Sequence, residues 1–312
     1  MNERNQIIIK LLLVQIILPL GLTIAFFFIS NDAHLFFFIT QTYLCILFLS
    51  GYWEFFSGLF KKLFFLSLEA ILFIILFYKL ATSSHSHFNI VLLFIFSFIQ
   101  AYLFFALVKI IMVVSKKEKN SLEITFPLSN GKYLVTDGGN SKMSRLMNYH
   151  FYSPVHRKNK TNKSMQFAID IVKIDSNKTT FLPTRNNEYP IFGEKVSCPL
   201  EGKVIQVENN IDDNEPFIGT YPYNTGNTLV IKIANYYLLL GHLKKGSITV
   251  SKGEIVKAGD FIGQIGNSGY SERPHLHMQL IESDSDNFWF GKGIPMTFKG
   301  KNLFKNRVIK IV

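Results

Sequence analysis

The hydrophobic pattern divides the chain in two. Up to about residue 114, apolar residues run almost unbroken in four stretches, Ile7–Ser30, Leu35–Phe56, Leu63–Leu80 and Phe88–Val114. Each meets or nearly meets the roughly 20 residues that cross a hydrocarbon core about 30 Å thick. The first is too long for a simple signal peptide and shows no small-residue cleavage site. The pattern therefore predicts an all-α transmembrane domain of four spans over 1–114, embedded in a lipid bilayer. The polar stretch SKKEKNS at 115–121 predicts a linker. Beyond it come short alternating runs: GKYLVT, MQFAIDIV, GKVIQVE, NTLVIKI, YYLLLGHL and HLHMQLIE. Gly, Asn, Pro and Asp separate them, and no amphipathic helix intervenes. They predict an antiparallel all-β domain over 122–312. Residues 209–227 predict a long loop, and KGEIVKAGDFIGQIGNSG predicts a hairpin feeding a glycine-rich turn.

Charge and composition refine this division. A net charge of +11 suits work beside anionic lipids or anionic wall polymers. The lysines are scattered and no nucleic-acid motif is present, which argues against a nucleic-acid partner. The two cysteines, Cys45 and Cys198, make neither a disulfide framework nor a C-x-x-C pair. Glu69 lies inside the third span. It either faces the bundle interior or sits near the end of a short tilted helix beside Lys61 and Lys62. Basic residues flank the spans at Arg4 and Lys10, at Lys61 and Lys62, and at Lys116, Lys117 and Lys119. By the positive-inside rule this places the β domain in the cytoplasm.

The candidate chemistry converges on GNSGYSERPHLHMQL at 266–280. Residues i and i+2 of a strand share a face, so His275 and His277 would project side by side. Asp170 on an alternating strand, His242 at the end of YYLLLGHL and His156 in the basic SPVHRKNK loop could join them. A zinc hydrolase needs about three His, Asp or Glu ligands, an open position for water, and a base. Asp170 and His277 could serve as ligands, with His275 and His242 as base and oxyanion stabiliser.

The order H-L, G-D-x-I-G, G-N-S-G, P-H-L-H within GHLKKGSITVSKGEIVKAGDFIGQIGNSGYSERPHLHMQL closely resembles the M23 peptidases. These are the lysostaphin- and LytM-like zinc endopeptidases that cut peptide bridges in bacterial peptidoglycan. The resemblance covers about residues 165–283. It implies Asp170 and His277 as zinc ligands, His275 as general base, and His242 as support for the activated water or tetrahedral intermediate. The family's first ligand is a histidine four residues before the aspartate, and here that position is Gln166. The chain resembles a branch with Gln in this strand. An amide oxygen is a poor zinc ligand beside imidazole. Three outcomes follow: a third ligand from elsewhere, such as His156; a different metal held by Asp170, Gln166 and His277; or an empty site.

The resemblance implies a metalloendopeptidase acting on peptidoglycan peptide bridges or a related peptide, and the four spans, which lie outside the resemblance, predict that it is membrane-anchored. The alternative is a degenerate, non-catalytic LytM-like module that binds a wall fragment or a membrane protein partner. A processing factor for secreted peptides is a third class, which a cytoplasmic domain would favour. Peptidoglycan chemistry requires the β domain outside the cell, against the charge pattern, and the extracytoplasmic placement is the expectation adopted.

Overall fold

The computed structural model describes residues 98, 102, 105, 109, 112, 113, 116 and 118–312, less 146, 153–161, 175–182 and 219–223. The four predicted spans lie outside the described residues apart from single positions of the fourth, as do Glu69, Cys45 and His156. Among the described residues no helix is long and apolar enough to cross a membrane. Met112–Val312 forms one compact unit of the chain.

That unit is all-β. Its strands are β1 (Leu122–Glu123), β2 (Gly131–Asp137), β3 (Ile169–Lys173), β4 (Lys195–Ser197), β5 (Gly202–Glu208), β6 (Asn227–Ile233) and β7 (Tyr236–Leu243). They continue as β8 (Ile255–Val256), β9 (Phe261–Gln264), β10 (Leu276–Glu282), β11 (Lys292–Ile294), β12 (Met296–Phe298), β13 (Lys301–Asn302) and β14 (Val308–Ile311). Its main sheet runs β14-β2-β3-β10-β7-β6-β5-β8, with β11 also pairing β10. Smaller sheets are β1-β12-β13 and β4-β9. Pairing is antiparallel except between β1 and β12, which run parallel, a departure from the purely antiparallel expectation.

The long alternating runs form the strands they predicted, because one face of the main sheet packs on a continuous core. Leu276, Met278 and Leu280 of β10 join Ile169 and Ile171 of β3 and Leu238 and Leu240 of β7 there. Fully burying such side chains stabilises by about 1.5–3 kcal/mol each. The predicted run MQFAIDIV becomes a strand only from Ile169. Before it, Lys163–Met165 forms a 3-10 turn, and Gln166 caps that turn in helical conformation, φ −55° and ψ −34°.

Two irregularities shape the face opposite the core. Val135 pairs Ile171 and Asp137 pairs Asp170, so Thr136 is an extra residue in β2. On β7, Gly241 and His242 together oppose Thr228 alone, between the pairs Leu229–Leu240 and Asn227–Leu243. Bulges of this kind bend a strand and re-aim a side chain.

Candidate metal and catalytic site

Strand alternation delivers the first two groups. With Ile169 and Ile171 in the core, Asp170 must face the other side of β3. With Leu276 and Met278 in the core, His277 must do the same on β10. The register sets His277 directly opposite Asp170. His277 Nδ1 lies 2.9 Å from Asp170 Oδ1, and both residues are buried.

The third group comes from outside the sheet. His150 begins a 3-10 turn, His150–Tyr152. Its Nε2 lies 3.2 Å from Asp170 Oδ2. One donor atom each from His150, Asp170 and His277 can be chosen so that all lie within 4.8 Å of one another, an arrangement able to hold one metal ion. The tautomers fit that task. Asn148 donates both amide hydrogens, to Gly139 O at 3.0 Å and Ala168 O at 2.8 Å, which fixes its Oδ1 as an acceptor. His150 Nδ1 sits 2.7 Å from that oxygen and must donate to it, leaving the Nε2 lone pair toward Asp170. His277 Nε2 faces Gln279 Oε1 at 3.2 Å, and the tautomer that donates there leaves the Nδ1 lone pair for a metal. Two imidazole lone pairs and a carboxylate make a donor set suited to zinc.

Electrostatics agrees with this clustering. Burial, the largest effect, would raise the Asp170 carboxyl, but His150 and His275 outweigh it and hold the group well below the usual carboxylate range. Burial likewise opposes charge on His150, yet Asp170 leaves its pKa above the ordinary imidazole value. Such a pair gives up its proton on binding a cation.

Two further histidines complete the pocket. His275 Nδ1 donates to Arg273 O at 2.8 Å, and its Nε2 lies 3.5 Å from Asp170 Oδ1. His242 Nδ1 donates to Ser268 O at 2.7 Å. The two rings are 4.6 Å apart, and the His242 and His277 rings 5.7 Å. Simple alternation from Leu238 and Leu240 would turn His242 into the core. The Gly241–His242 bulge, with His242 at φ +59°, brings it to the site instead. A left-handed non-glycine residue costs about 1–2 kcal/mol and persists where the surroundings over-determine it. Burial lowers both pKa values, for His242 well below normal with His275 and His277 adding to the effect. Both rings are thus neutral near pH 7, each with Nε2 free to accept a proton.

Of the residues anticipated from sequence, Asp170, His242, His275 and His277 converge here and Gln166 does not. On a strand, a residue four before Asp170 would share its face, but Gln166 caps a 3-10 turn and its side chain goes elsewhere. Its Nε2 donates to Asn140 Oδ1 at 2.9 Å. The group that stands beside Asp170 and His277 in its place is His150, and these three could hold a metal ion. The sequence of His150, MNYHFY, has no ligand spacing to Asp170. Its one signal is a lone histidine between aromatic residues ahead of the Asp170 strand.

Comparison with known proteins bears on the same region. Residues 189–287 match the model of peptidase family M23. An endolysin of Staphylococcus phage 2638A is 44% identical over 66 residues, 20% of this chain and 14% of the endolysin. The peptidoglycan DD-endopeptidase ShyB of Vibrio cholerae is 31% identical over 118 residues, 30% of this chain and 27% of that protein. The chain thus spans about a quarter or less of the length of these relatives. The catalytic domain of lysostaphin from Staphylococcus simulans aligns with a TM-score of 0.27 at 21% identity, over 41% of this chain and 72% of that chain. The matched segment contains His242, His275 and His277, while His150 and Asp170 precede it. The likeness to peptidase family M23 thus lies in residues 189–287 of this chain.

Proposed function

We propose that the β domain is a zinc-dependent endopeptidase that hydrolyses peptide bonds of peptidoglycan bridges, anchored to the bilayer by the N-terminal apolar segments. One observation carries this reading: His150, Asp170 and His277 bring three donor atoms within 4.8 Å of one another beside His242 and His275. Zinc held by His150 Nε2, Asp170 and His277 Nδ1 would supply Lewis acidity and an acidified water. His275 is the base of the remaining pair, since Arg273 O holds its Nδ1–H and its Nε2 lies 3.5 Å from the Asp170 carboxylate. Its Nε2 accepts the proton of the attacking water and returns it to the leaving amine. His242 also starts as an acceptor. It can support the tetrahedral oxyanion only after taking a proton, which its burial makes it release readily. The similarity to a peptidoglycan DD-endopeptidase supports the substrate class, and the net charge of +11 suits an anionic wall.

A wall substrate further implies that the β domain faces outward, which protease accessibility in intact cells tests directly. For the activity, purified full-length protein is assayed for bound zinc and for new amino termini released from peptidoglycan, beside His275→Ala. About one zinc per chain and amine release that the variant lacks are expected. Zinc-loaded protein that retains peptidoglycan without cleaving it would establish the non-catalytic module instead.

A further inference from the structure

His150 poses a problem that the other two donors do not. Asp170 and His277 are fixed by strand ladders, whereas His150 lies on the three-residue 3-10 turn His150–Tyr152. An imidazole so placed could rotate, or carry its proton on Nε2, and cease to be a donor. We propose that Asn148 is the positioning residue that makes this loop histidine a ligand, an inference that rests on the metal-site reading above.

Asn148 is fully buried and all four of its side-chain bonding positions are used. Its Nδ2 ties Gly139, just after β2, to Ala168, just before β3. These positions adjoin β2 and β3, the paired strands in which Asp137 stands opposite Asp170. Flipping the amide would set its oxygen against two carbonyls, so its orientation is locked. Oδ1 then receives both the backbone N–H of His150 at 3.1 Å and the ring Nδ1–H at 2.7 Å. The first bond fixes where the loop runs. The second selects the tautomer with Nε2 free and holds the ring plane. Outer partners of this kind typically tune metal affinity about 10–100-fold.

A merely structural brace would affect the loop with or without His150, so a double-mutant cycle separates the two roles. Cobalt(II) is titrated into the full-length protein, reading its visible spectrum, for wild type, Asn148→Leu, His150→Ala and the double variant. Asn148→Leu is expected to weaken binding about 10–100-fold in the wild-type background. Its spectrum should move toward that of His150→Ala. In the His150→Ala background it should change affinity by less than about threefold, because its route of action is gone. Asn148→Ala removes the same acceptor with a smaller side chain and serves if the leucine variant fails to fold. It should weaken binding about 10–100-fold and move the spectrum in the same direction. Equal losses from either Asn148 variant in both backgrounds, or wild-type spectrum and affinity in a folded Asn148 variant, would overturn the proposal while leaving the metal site standing. Absence of a cobalt site in folded wild type would overturn both.

Discussion

His150 Nε2 stands 3.2 Å from Asp170 Oδ2, and His277 Nδ1 stands 2.9 Å from the other oxygen, Oδ1, with the two rings 5.0 Å apart. One carboxylate therefore links a loop histidine and a strand histidine. Removing either imidazole leaves two donors, too few to hold zinc while keeping a position for water. His150→Ala and His277→Ala should each lower zinc affinity by more than the roughly 10–100-fold typical of outer-sphere changes. Isothermal titration with zinc checks this. Wild-type affinity in folded His150→Ala would remove His150 from the ligand set.

Gln166→His should bring no gain. With His150 in place the third imidazole is already supplied, and position 166 caps a turn instead of lying on β3. The change sacrifices the bond to Asn140 Oδ1, and a net loss of about 0.5–1.5 kcal/mol is expected. Urea melts and zinc titration together decide the matter. A clear rise in zinc affinity would mean that the family's usual ligand position is still able to reach the ion.

The contrast between these two positions shows what the sequence can convey. Period-two alternation with β-branched and aromatic residues marked β2, β5, β6, β7 and β10, because each is long enough to bury one face. The two- and three-residue strands β1, β4, β8, β11, β12 and β13 are too short to display a period. Asp170, His242, His275 and His277 were visible through strand ends and the P-H-L-H spacing. His150 was not, since a ligand delivered by a loop carries no fixed interval to its partners. Gln166 misled because four residues on a strand share a face, while four residues across a 3-10 turn do not. The contribution of His242 was visible, but the bulge that turns it toward the site was not.

His275→Ala should retain zinc and lose hydrolysis. Its Nδ1 is held by Arg273 O, and its Nε2 lies farther from Asp170 than that of His150. Loss of a general base typically costs about 10²–10⁴ in rate. Zinc content measured alongside peptidoglycan hydrolysis separates this from a ligand defect. Zinc loss equal to that of His277→Ala would show that the two roles are wrongly divided.

Cys198 supplies a pH dependence remote from the site. Burial pushes its thiol up to about 11 from an unfolded value of 9.0. A raised folded pKa means that the unfolded chain releases its proton first as pH rises. The associated stability is therefore complete below about pH 9 and is lost as pH climbs toward 11. Stability of wild type should fall more steeply than that of Cys198→Ala between about pH 8 and about pH 10.5. Parallel slopes in urea melts across that range would contradict the assignment.

Gly226→Ala should damage catalysis through a residue that touches no ligand. Gly226 has φ +65°, and an added Cβ would be driven into the Ser268 backbone. Ser268 O is the acceptor that orients His242, and its Oγ also joins Asn227 N to Leu243 O. The overlap cannot be relieved by turning a flexible side chain, so the loop that carries this carbonyl must move. Forced overlap costs about 1–3 kcal/mol, in addition to the left-handed penalty of about 1–2 kcal/mol. His150, Asp170 and His277 do not hydrogen-bond to Ser268, so zinc affinity should change by only a few-fold while hydrolysis falls much further. Gly246→Ala is the control, because Gly246 has a similar φ of +69° but open space where its Cβ would sit. It should suffer the backbone penalty alone and keep full activity. Thermal melts, zinc titration and hydrolysis of both variants test the chain of cause from Gly226 through Ser268 to His242. Equal destabilisation of the two, with activity intact in each, would show that Ser268 is not what holds His242 in register with the site.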